Sequence, residues 1–334
     1  MKKFNIPIFV PHKGCPFDCV FCNQKKITGN IKETTPDDVT KTIEAYLKTL
    51  PCDDRNIEVA FFGGSFTGIP IDEQTALMSR VMPYIEKGLI DGIRLSTRPD
   101  YINDKILSNL KAYNVTTIEL GVQSMSDEVL KASNRGHSSE QVKISSELIK
   151  KYGFQLGLQM MTGLPSDSWE RSVMTAKEII SLKPSFVRIY PTLTIKDTYL
   201  EKMYNNGKYT PQTLDEAVEL CKKLLYLFEE AGINVIRMGL QTTDEINENA
   251  SVIAGPFHSS FGELVESSVY YDTMLKKLKG FKNDAVIYVN PSEISKAVGN
   301  KRRNIIKIKN ELNINITVKG DSRLKKKEVR CDAT

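Results

Sequence analysis

Three cysteines near the start of the chain carry the clearest chemical signal in the sequence. Cys15, Cys19 and Cys22 have the spacing CxxxCxxC and follow a short apolar segment, residues 6–10, that predicts a strand. Three thiolates this close together can converge on one soft metal centre, usually zinc or an iron–sulfur cluster. A cluster held by only three cysteines keeps one iron open to a substrate. The spacing therefore predicts a metal centre on a loop after the first strand.

Two other uses of these cysteines are open to the sequence. Zinc would need a fourth ligand, which His12 could offer, whereas the next cysteine, Cys52, lies thirty residues beyond Cys22. A disulfide framework is disfavoured, because six cysteines in 334 residues are sparse and the first residues lead straight into a strand rather than a signal peptide. We therefore expect reduced thiols and a cytoplasmic protein. No apolar run approaches the roughly 18 residues of a membrane-spanning helix.

Apolar and helical segments alternate along the first 240 residues. Strands are predicted at residues 6–10, 57–62, 93–96, 117–120, 154–161 and 186–190, and helices at 36–50, 73–86, 103–112, 139–152, 168–181 and 214–231. Alternation at this length predicts parallel strands joined by right-handed crossovers. Six βα units favour an α/β fold with a partial (βα)6 barrel, in which chemistry lies at the carboxyl ends of the strands.

Polar and glycine-rich segments follow five of these strands. Gly63 and Gly64 come after the second strand, where two glycines let the backbone approach a ligand closely. The other polar strand ends are residues 96–100, 119–124 with 134–137, 160–165, and 188–192. Any one residue could be structural: Arg98 could pair with Asp100, and Met160 could belong to the core. Five polar strand ends on one rim favour a binding site.

The cysteine spacing and the strand-end motifs resemble the radical SAM superfamily, whose members use S-adenosyl-L-methionine (SAM). Glu-Leu-Gly-Val-Gln-Ser (119–124), Asn-Arg-Gly-His (134–137), Thr-Gly-Leu-Pro (162–165), Tyr-Pro-Thr-Leu (190–193) and Tyr-Thr-Pro (209–211) follow in order. In that order they resemble the radical SAM half of the Elongator catalytic subunit, from about residue 4 to about residue 240. The resemblance implies a [4Fe–4S] cluster on Cys15, Cys19 and Cys22. It also implies a SAM pocket lined by Gly63, Gly64, Ser96, Arg98, Gln123, Arg135 and Gly163.

The same resemblance implies an activity. SAM would chelate the open iron, and an electron from a flavodoxin- or ferredoxin-like donor would cleave it to methionine and a 5′-deoxyadenosyl radical, which abstracts a hydrogen atom. The motifs identify no catalytic side chain, and Ser65 stands where the superfamily's GGE-like motif has glutamate. The residues after 240 are too few for the acetyltransferase domain of the Elongator subunit, so acetyl transfer is not expected.

Positive charge is concentrated near the end of the sequence. Residues 281–334 hold thirteen Lys/Arg and six Asp/Glu, a net +7, although the whole chain is only +5. Residues 285–318 predict strand, helix, a loop at 299–302, helix and strand. This βααβ unit resembles the KH module, whose GXXG loop clamps RNA. The resemblance implies RNA contacts from Gly299, Lys301, Arg302 and Arg303, with Arg302 in place of the second glycine. The structural alternative is a solvated basic face.

These observations predict four segments and one principal function. The segments are a radical SAM partial barrel (1–240), a connecting segment packed on the barrel (241–280), a KH-like unit (281–322) and a basic flexible tail (323–334). The predicted function is radical SAM modification of tRNA or rRNA. The alternatives are a radical SAM enzyme acting on a small molecule such as a porphyrin, and an RNA-binding protein with a structural zinc.

Overall fold

The computed structural model describes residues 2–10, 19–23, 34–51, 54–240 and 250–334. Residue contacts divide the chain into two compact units. The first comprises Met1–Thr213 and Leu227–Phe257, and the second comprises Leu214–Tyr226 and His258–Thr334.

The first unit is built on a parallel sheet. Its strands are β1 (Lys2–Val10), β2 (Arg55–Gly63), β3 (Gly92–Thr97), β4 (Val115–Gln123), β5 (Gln155–Thr162), β6 (Phe186–Pro191), β7 (Thr194–Ile195), β8 (Asn234–Met238) and β9 (Val252–Ala254). Seven of them form one sheet in the order β1-β2-β3-β4-β5-β6-β8, with every neighbouring pair parallel. β7 and β9 pair antiparallel beside it. The partial barrel expected from the sequence is confirmed, with β8 as a seventh strand that the apolar pattern did not predict.

The two faces of this sheet differ in chemistry because successive side chains of a strand point to opposite sides. One face is apolar and fully buried, as at Phe61, Leu95 and Ile118. The neighbouring positions Glu58, Arg94 and Glu119 put charged groups on the opposite face, and these are also buried. The strands therefore cover a hydrophobic core on one side and line a polar interior on the other.

Helices connect the strands of the first unit. They are α1 (Pro36–Leu47), α2 (Ile71–Ser79), α3 (Met82–Glu86), α4 (Asp104–Ala112), α5 (Asp127–Ala132), α6 (Ser139–Lys151), α7 (Trp169–Ser181), α8 (Tyr199–Asn205) and α9 (Leu214–Glu230). Thr35 caps α1 through a reciprocal capping box with Asp38, and Ser168 caps α7. The single helix expected over residues 73–86 is two helices. Pro83 lies in the first turn of α3, where its missing N–H costs nothing.

The second unit has a smaller sheet. Beyond its share of α9, it contains α10 (Phe261–Leu278), β10 (Ala285–Val289), α11 (Ile294–Val298), α12 (Arg303–Leu312), β11 (Ile316–Gly320) and β12 (Val329–Ala333). β10 is central, parallel to β11 and antiparallel to β12. From β10 to β11 the order is strand, helix, loop, helix and strand, as expected from the sequence.

The structure departs from the predicted segments in two places. Residues 329–333 form β12 rather than part of a flexible tail, because they pair with β10 and bury Val329 in the core. Within the segment predicted to connect and pack on the barrel, α10 instead contributes Tyr270, Met274 and Leu278 to the core of the second unit. These residues recur every four positions and so share one face of the helix.

None of the helices in the described parts of the chain is long and apolar enough to cross a membrane.

Candidate cluster and cofactor site

The described part of the cysteine loop, residues 19–23, is called the cluster loop below. Cys19 is buried and Cys22 is partly buried, and the amide of Cys22 donates to the Cys19 carbonyl at 2.9 Å in a tight turn. The amide of Val20 donates to the Ser133 carbonyl at 3.1 Å, after the end of α5. Cys15 and His12 lie outside the described residues. The loop thus brings two of its cysteines into a fixed turn attached to the barrel.

A buried guanidinium lies against this turn. Arg135 Nη1 donates to the sulfur of Cys19 at 3.5 Å, and Arg135 Nη2 donates to the Gly121 carbonyl at 2.7 Å. A Cβ atom at Gly121 would lie 2.6 Å from Arg135 Nη2, so the glycine makes room for the arginine. An N–H donor and a positive charge beside a ligand sulfur suit an anionic iron–sulfur cluster. The residues present therefore fit such a cluster.

Two further side chains, Arg98 and His137, form hydrogen bonds within the protein. Arg98, assigned to the SAM pocket from the sequence, makes a bidentate ion pair with Asp100, with both distances 2.9 Å. His137 is buried, and its Nε2 lies 3.2 Å from the Val122 carbonyl, which requires the Nε2–H form of the ring. Burial, and then the charges of Arg135 and Arg98, lower the pKa of His137 to about 3. His137 is therefore neutral near pH 7.

Gly63, the last residue of β2, and Gly64 lie where the strands β1, β2 and β3 end. Gly63 has φ +110°, and a Cβ atom there would lie 2.9 Å from the Val10 carbonyl oxygen of β1. The amide of Gly64 donates to that same oxygen at 3.0 Å. The hydroxyl of Ser65 lies 2.8 Å from that of Thr97 at the end of β3. The backbone at Gly63 thus lies so close to β1 that a side chain at this position would not fit.

Two more predicted SAM residues lie at backbone turns. Gln123 has φ +66°, where the register between β4 and β5 shifts. Gly163 has φ +71° and begins a turn after β5; residues 162–167 are called the Gly163 turn below. The amide of Gly163 donates to Asp167 Oδ2 at 2.9 Å, and its carbonyl accepts from the hydroxyl of Tyr209 at 2.6 Å. Sequence reasoning assigned no role to Tyr209 beyond its motif.

The polar face of the sheet carries a charge network that the sequence analysis did not assign. Glu119 is fully buried and accepts hydrogen bonds from Arg94 Nη1 (3.3 Å), Gln159 Nε2 (3.1 Å) and Arg188 Nε (2.7 Å). Gln159 also lies 3.5 Å from the hydroxyl of Ser96. The sequence signal that could have revealed this network is a polar residue placed between apolar residues in each of these strands. This polar strand network lies below the strand ends and links β3 to β6.

These observations define a class of protein. A parallel partial barrel carries a cysteine loop after its first strand, and close-approach glycines and buried cations lie at the next strand ends. Such a rim can hold a metal cluster next to a small polar cofactor.

Comparison with known families identifies the class. The family model of the Radical SAM superfamily matches residues 9–179, and that of the Radical_SAM C-terminal domain matches residues 184–271. The chain belongs to the radical SAM superfamily. Its cofactors are those of the superfamily, a [4Fe–4S] cluster and SAM. The structural zinc considered from the cysteine spacing is accordingly set aside.

Individual relatives are similar over the same region. The tRNA uridine(34) acetyltransferase of Methanocaldococcus infernus is 31% identical over 184 residues, covering 49% of this chain and 34% of that protein. The human Elongator complex protein 3 is 30% identical over 191 residues, covering 51% of this chain and 35% of that protein. A solved structure of the archaeal Methanocaldococcus infernus Elp3 aligns with a TM-score of 0.63 at 25% identity, covering 83% of this chain and 64% of that one. The matches span about a third of the two curated relatives.

Proposed function

We propose that this chain is a radical SAM enzyme that modifies RNA, with tRNA as its first candidate substrate. Cys15, Cys19 and Cys22 are the proposed cluster ligands. The proposed SAM pocket consists of Gly63, Gly64, Ser96, Arg98, Gln123, Arg135 and Gly163. When bound, the cluster supplies the electron that cleaves SAM and so begins radical chemistry. A flavodoxin- or ferredoxin-like protein is the proposed electron donor.

The residues of the rim have distinct parts in this proposal. Arg135 holds a positive charge against Cys19 and so balances the negative charge of a thiolate-ligated cluster. Gly63 lets the end of β2 approach β1, because a Cβ atom there would lie 2.9 Å from the Val10 carbonyl oxygen, and the Gly64 amide holds this approach by donating to the same oxygen at 3.0 Å. Val20 of the cluster loop packs against Leu200 and Tyr209, and these apolar side chains exclude water from one side of the loop. Arg98 is proposed to fix the segment after β3 at the rim, because its guanidinium is bound to Asp100 and its backbone N–H donates to the Ser65 hydroxyl at 3.3 Å.

The observation that carries the tRNA proposal is the similarity to a protein named as a tRNA uridine(34) acetyltransferase. That similarity covers 49% of this chain, and the archaeal Elp3 structure aligns with 83% of it. Because only 34% of the archaeal relative is matched, acetyl transfer is not part of the proposal. What is carried over is radical chemistry on a tRNA-type substrate.

The second unit offers a surface for the RNA backbone. Gly299, Asn300, Lys301 and Arg302, the basic turn, connect α11 to α12, and both Lys301 and Arg302 are exposed with positive φ. The helices on both sides of the turn are tied together, because the side-chain amide of Asn304, the second residue of α12, donates to the carbonyls of Ala297 in α11 and Ser267 in α10 at 3.1 and 2.9 Å.

Arg303 differs from its two neighbours. Its guanidinium pairs with Asp215 at 2.9 Å, so part of its charge is already balanced within the second unit. Lys301 and Arg302 are therefore the proposed phosphate contacts, and Gly299 provides the backbone geometry between them and α11. Arg303 is proposed to contribute less than either.

Salt-dependent binding tests the RNA surface, with unfractionated tRNA as the probe. Affinity for RNA falls with salt, and each lost contact with single-stranded RNA makes the plot of log affinity against log salt less steep by roughly 0.7. The double variant Lys301→Ala/Arg302→Ala should therefore bind more weakly, and its salt dependence should be less steep by roughly 1.4. Lys325→Ala/Lys326→Ala removes equal charge from the same unit and should leave most of the affinity. Equal losses in the two double variants would point to a non-specific basic face.

The modification itself is tested in cells. Digested tRNA and rRNA from cells expressing the wild-type chain are compared with those from cells expressing only Cys19→Ala. A modified nucleoside should disappear in the variant and return with the wild-type gene. Identical nucleoside profiles in both RNA classes would contradict RNA modification and favour the small-molecule alternative.

A further inference from the structure

The segment between β7 and α9 contacts the cluster loop directly. The amide of Leu200, in the first turn of α8, donates to the Val20 carbonyl at 2.7 Å, and the side-chain amide of Asn23 donates to the Lys196 carbonyl at 3.2 Å. Leu200 is fully buried. The start of α8 and the residues just before it are therefore attached to residues on both sides of Cys22.

Tyr209, which follows α8, contacts both the cluster loop and the Gly163 turn. Its ring lies in a buried apolar cluster with Val20 and Leu200, against which Phe21 and Met203 pack. Its hydroxyl donates to the Gly163 carbonyl at 2.6 Å. The side chain is only 8% exposed, so its ring and its hydroxyl are both held in place.

Side chains hold the Gly163 turn at several points, and two of them hold Gly163 itself. Asp167 accepts from the Gly163 amide, and Tyr209 donates to the Gly163 carbonyl, so the two side chains hold opposite sides of one residue. A Cβ atom at Gly163 would lie 2.7 Å from Gln212 Oε1, which belongs to the same segment as Tyr209. Residues 209–212 therefore hold Gly163 itself, the residue of this turn that is proposed to contact SAM.

We propose that Tyr209 is a positioning residue that couples the cluster loop to the Gly163 turn. Ordering of the cluster loop by its cluster is transmitted through Val20 and the Tyr209 ring to the Gly163 carbonyl. Cluster loading then stabilises the conformation of Gly163, which is proposed to contact SAM. This inference rests on the proposal that Cys19 and Cys22 hold the cluster.

Amide hydrogen exchange tests the coupling without SAM or turnover. The full chain is measured with and without its cluster, after iron and sulfide content has been determined. In the wild type, cluster loading should slow exchange about 10-fold in peptides covering both the cluster loop and the Gly163 turn, since coupling of about 1.4 kcal/mol is tenfold. In Tyr209→Phe, which keeps the ring, only the cluster loop should respond.

Tyr204→Phe is the matched control, because Tyr204 lies in α8 of the same segment but is 38% exposed. It should behave as the wild type. A second measurement, the SAM-induced change in the electron paramagnetic resonance spectrum of the reduced cluster, should require about 10-fold more SAM in Tyr209→Phe, since the variant loses a hydrogen bond to the partly buried Gly163 carbonyl. Thermal unfolding of both variants checks that the fold is intact.

The possible results separate the coupling from the function on which it rests. If cluster loading slows amide exchange in the cluster loop of Tyr209→Phe and also in its Gly163 turn, as in the wild type, Tyr209 does not couple the two segments. The proposed cluster site would stand in that case. The coupling is equally wrong if the turn does not respond in the wild type. If loading leaves the cluster loop itself unaffected, the proposed cluster ligands are wrong, and this inference falls with them.

Discussion

The guanidinium of Arg135 donates one N–H to the sulfur of Cys19 at 3.5 Å and another to the carbonyl of Gly121 at 2.7 Å. Arg135 is 8% exposed, so its charge acts in a poorly solvated environment. The contact connects the end of β4 to the cluster loop. Sequence motifs placed Arg135 among the SAM ligands, whereas this geometry places it next to a proposed cluster ligand.

Replacing Arg135 should change the redox properties of the cluster. Reduction adds negative charge, which a nearby cation stabilises, so Arg135→Gln should make the midpoint potential more negative. Loss of one charge-assisted hydrogen bond, at about 1.5 kcal/mol, corresponds to about 60 mV for one electron. A redox titration of the loaded protein followed by electron paramagnetic resonance measures the shift.

Arg80→Gln provides the control for this experiment, since Arg80 is an exposed arginine that pairs with Asp37. It should leave the potential unchanged. An unaltered potential in Arg135→Gln together with weaker SAM binding would support the assignment made from sequence motifs instead.

The cysteines should divide into two groups by their effect on the cluster. Cys19→Ala and Cys22→Ala should lose it, because a three-cysteine site with two ligands left cannot hold a cluster that needs three. Cys221→Ala and Cys331→Ala change cysteines of the second unit and should retain about four iron and four sulfide per chain. Chemical analysis after anaerobic reconstitution measures both. Full loading of Cys19→Ala would refute the assignment.

Glu119 should be one of the most sensitive positions for stability. It is fully buried and balances Arg94 and Arg188, so Glu119→Gln leaves two buried cations with less compensation. Removing one member of a buried ion pair costs about 3–5 kcal/mol. Urea unfolding of the protein without its cluster measures the change in the free energy of unfolding.

The surface pair of Lys143 and Glu178, at 2.9 Å, gives the comparison. Glu178→Gln should cost less than about 1 kcal/mol, because both side chains are solvated. Similar losses for Glu119→Gln and Glu178→Gln would mean that the polar strand network does not stabilise the barrel.

The sequence was informative where one local pattern decides the structure. The buried strands β1 to β6 follow from apolar runs, and the position of Gly63 follows from its glycine pair. β8 was missed because its residues, Asn234–Met238, are only partly buried or exposed and show no apolar run. β12 was missed because its strand conformation depends on pairing with β10, some forty residues earlier along the chain.

The parts of the site that were missed depend on contacts distant in sequence. Glu119 meets Arg188 only because β4, β5 and β6 are aligned in register, which residue spacing does not encode. The bond from Leu200 to Val20 likewise joins a helix to the cluster loop across most of the barrel sequence. The Arg98–Asp100 pair was foreseen, since its partners are two residues apart.

His137 should make stability depend on pH. Its pKa is about 3 in the folded protein, and that of an unfolded histidine is about 6.5. Between these values the unfolded chain binds the proton and the folded chain does not, so stability falls as the pH falls below about 6.5. The contribution is at most about 1.4 kcal/mol per pH unit.

His137→Gln removes this titration while retaining a side-chain N–H. The loss of stability from pH 7 to pH 5 should therefore be smaller in the variant by up to about 2 kcal/mol. Urea unfolding at the two pH values, without the cluster, measures the difference. The same pH dependence in both proteins would show that His137 becomes protonated without unfolding.

Gly299 should be required for the shape of the basic turn. Its φ of 79° and ψ of 155° lie in a region that is essentially restricted to glycine. A Cβ atom there would also lie 3.1 Å from Asn304 and from the Ser267 hydroxyl. Gly299→Ala should therefore destabilise the second unit by about 1–3 kcal/mol and displace Lys301 and Arg302. Binding of tRNA should weaken several-fold, although no charge is removed.

Gly280→Ala separates the effect on the turn from the general cost of a positive φ. Gly280 lies in the same unit with φ +96°, and its Cβ would meet nothing within 4 Å. This variant should lose about 1 kcal/mol of stability and keep its affinity for tRNA. Filter binding at two salt concentrations, combined with urea unfolding, compares the variants. If Gly299→Ala binds tRNA as tightly as Gly280→Ala, the geometry of the turn does not control RNA contact, and only its charges matter.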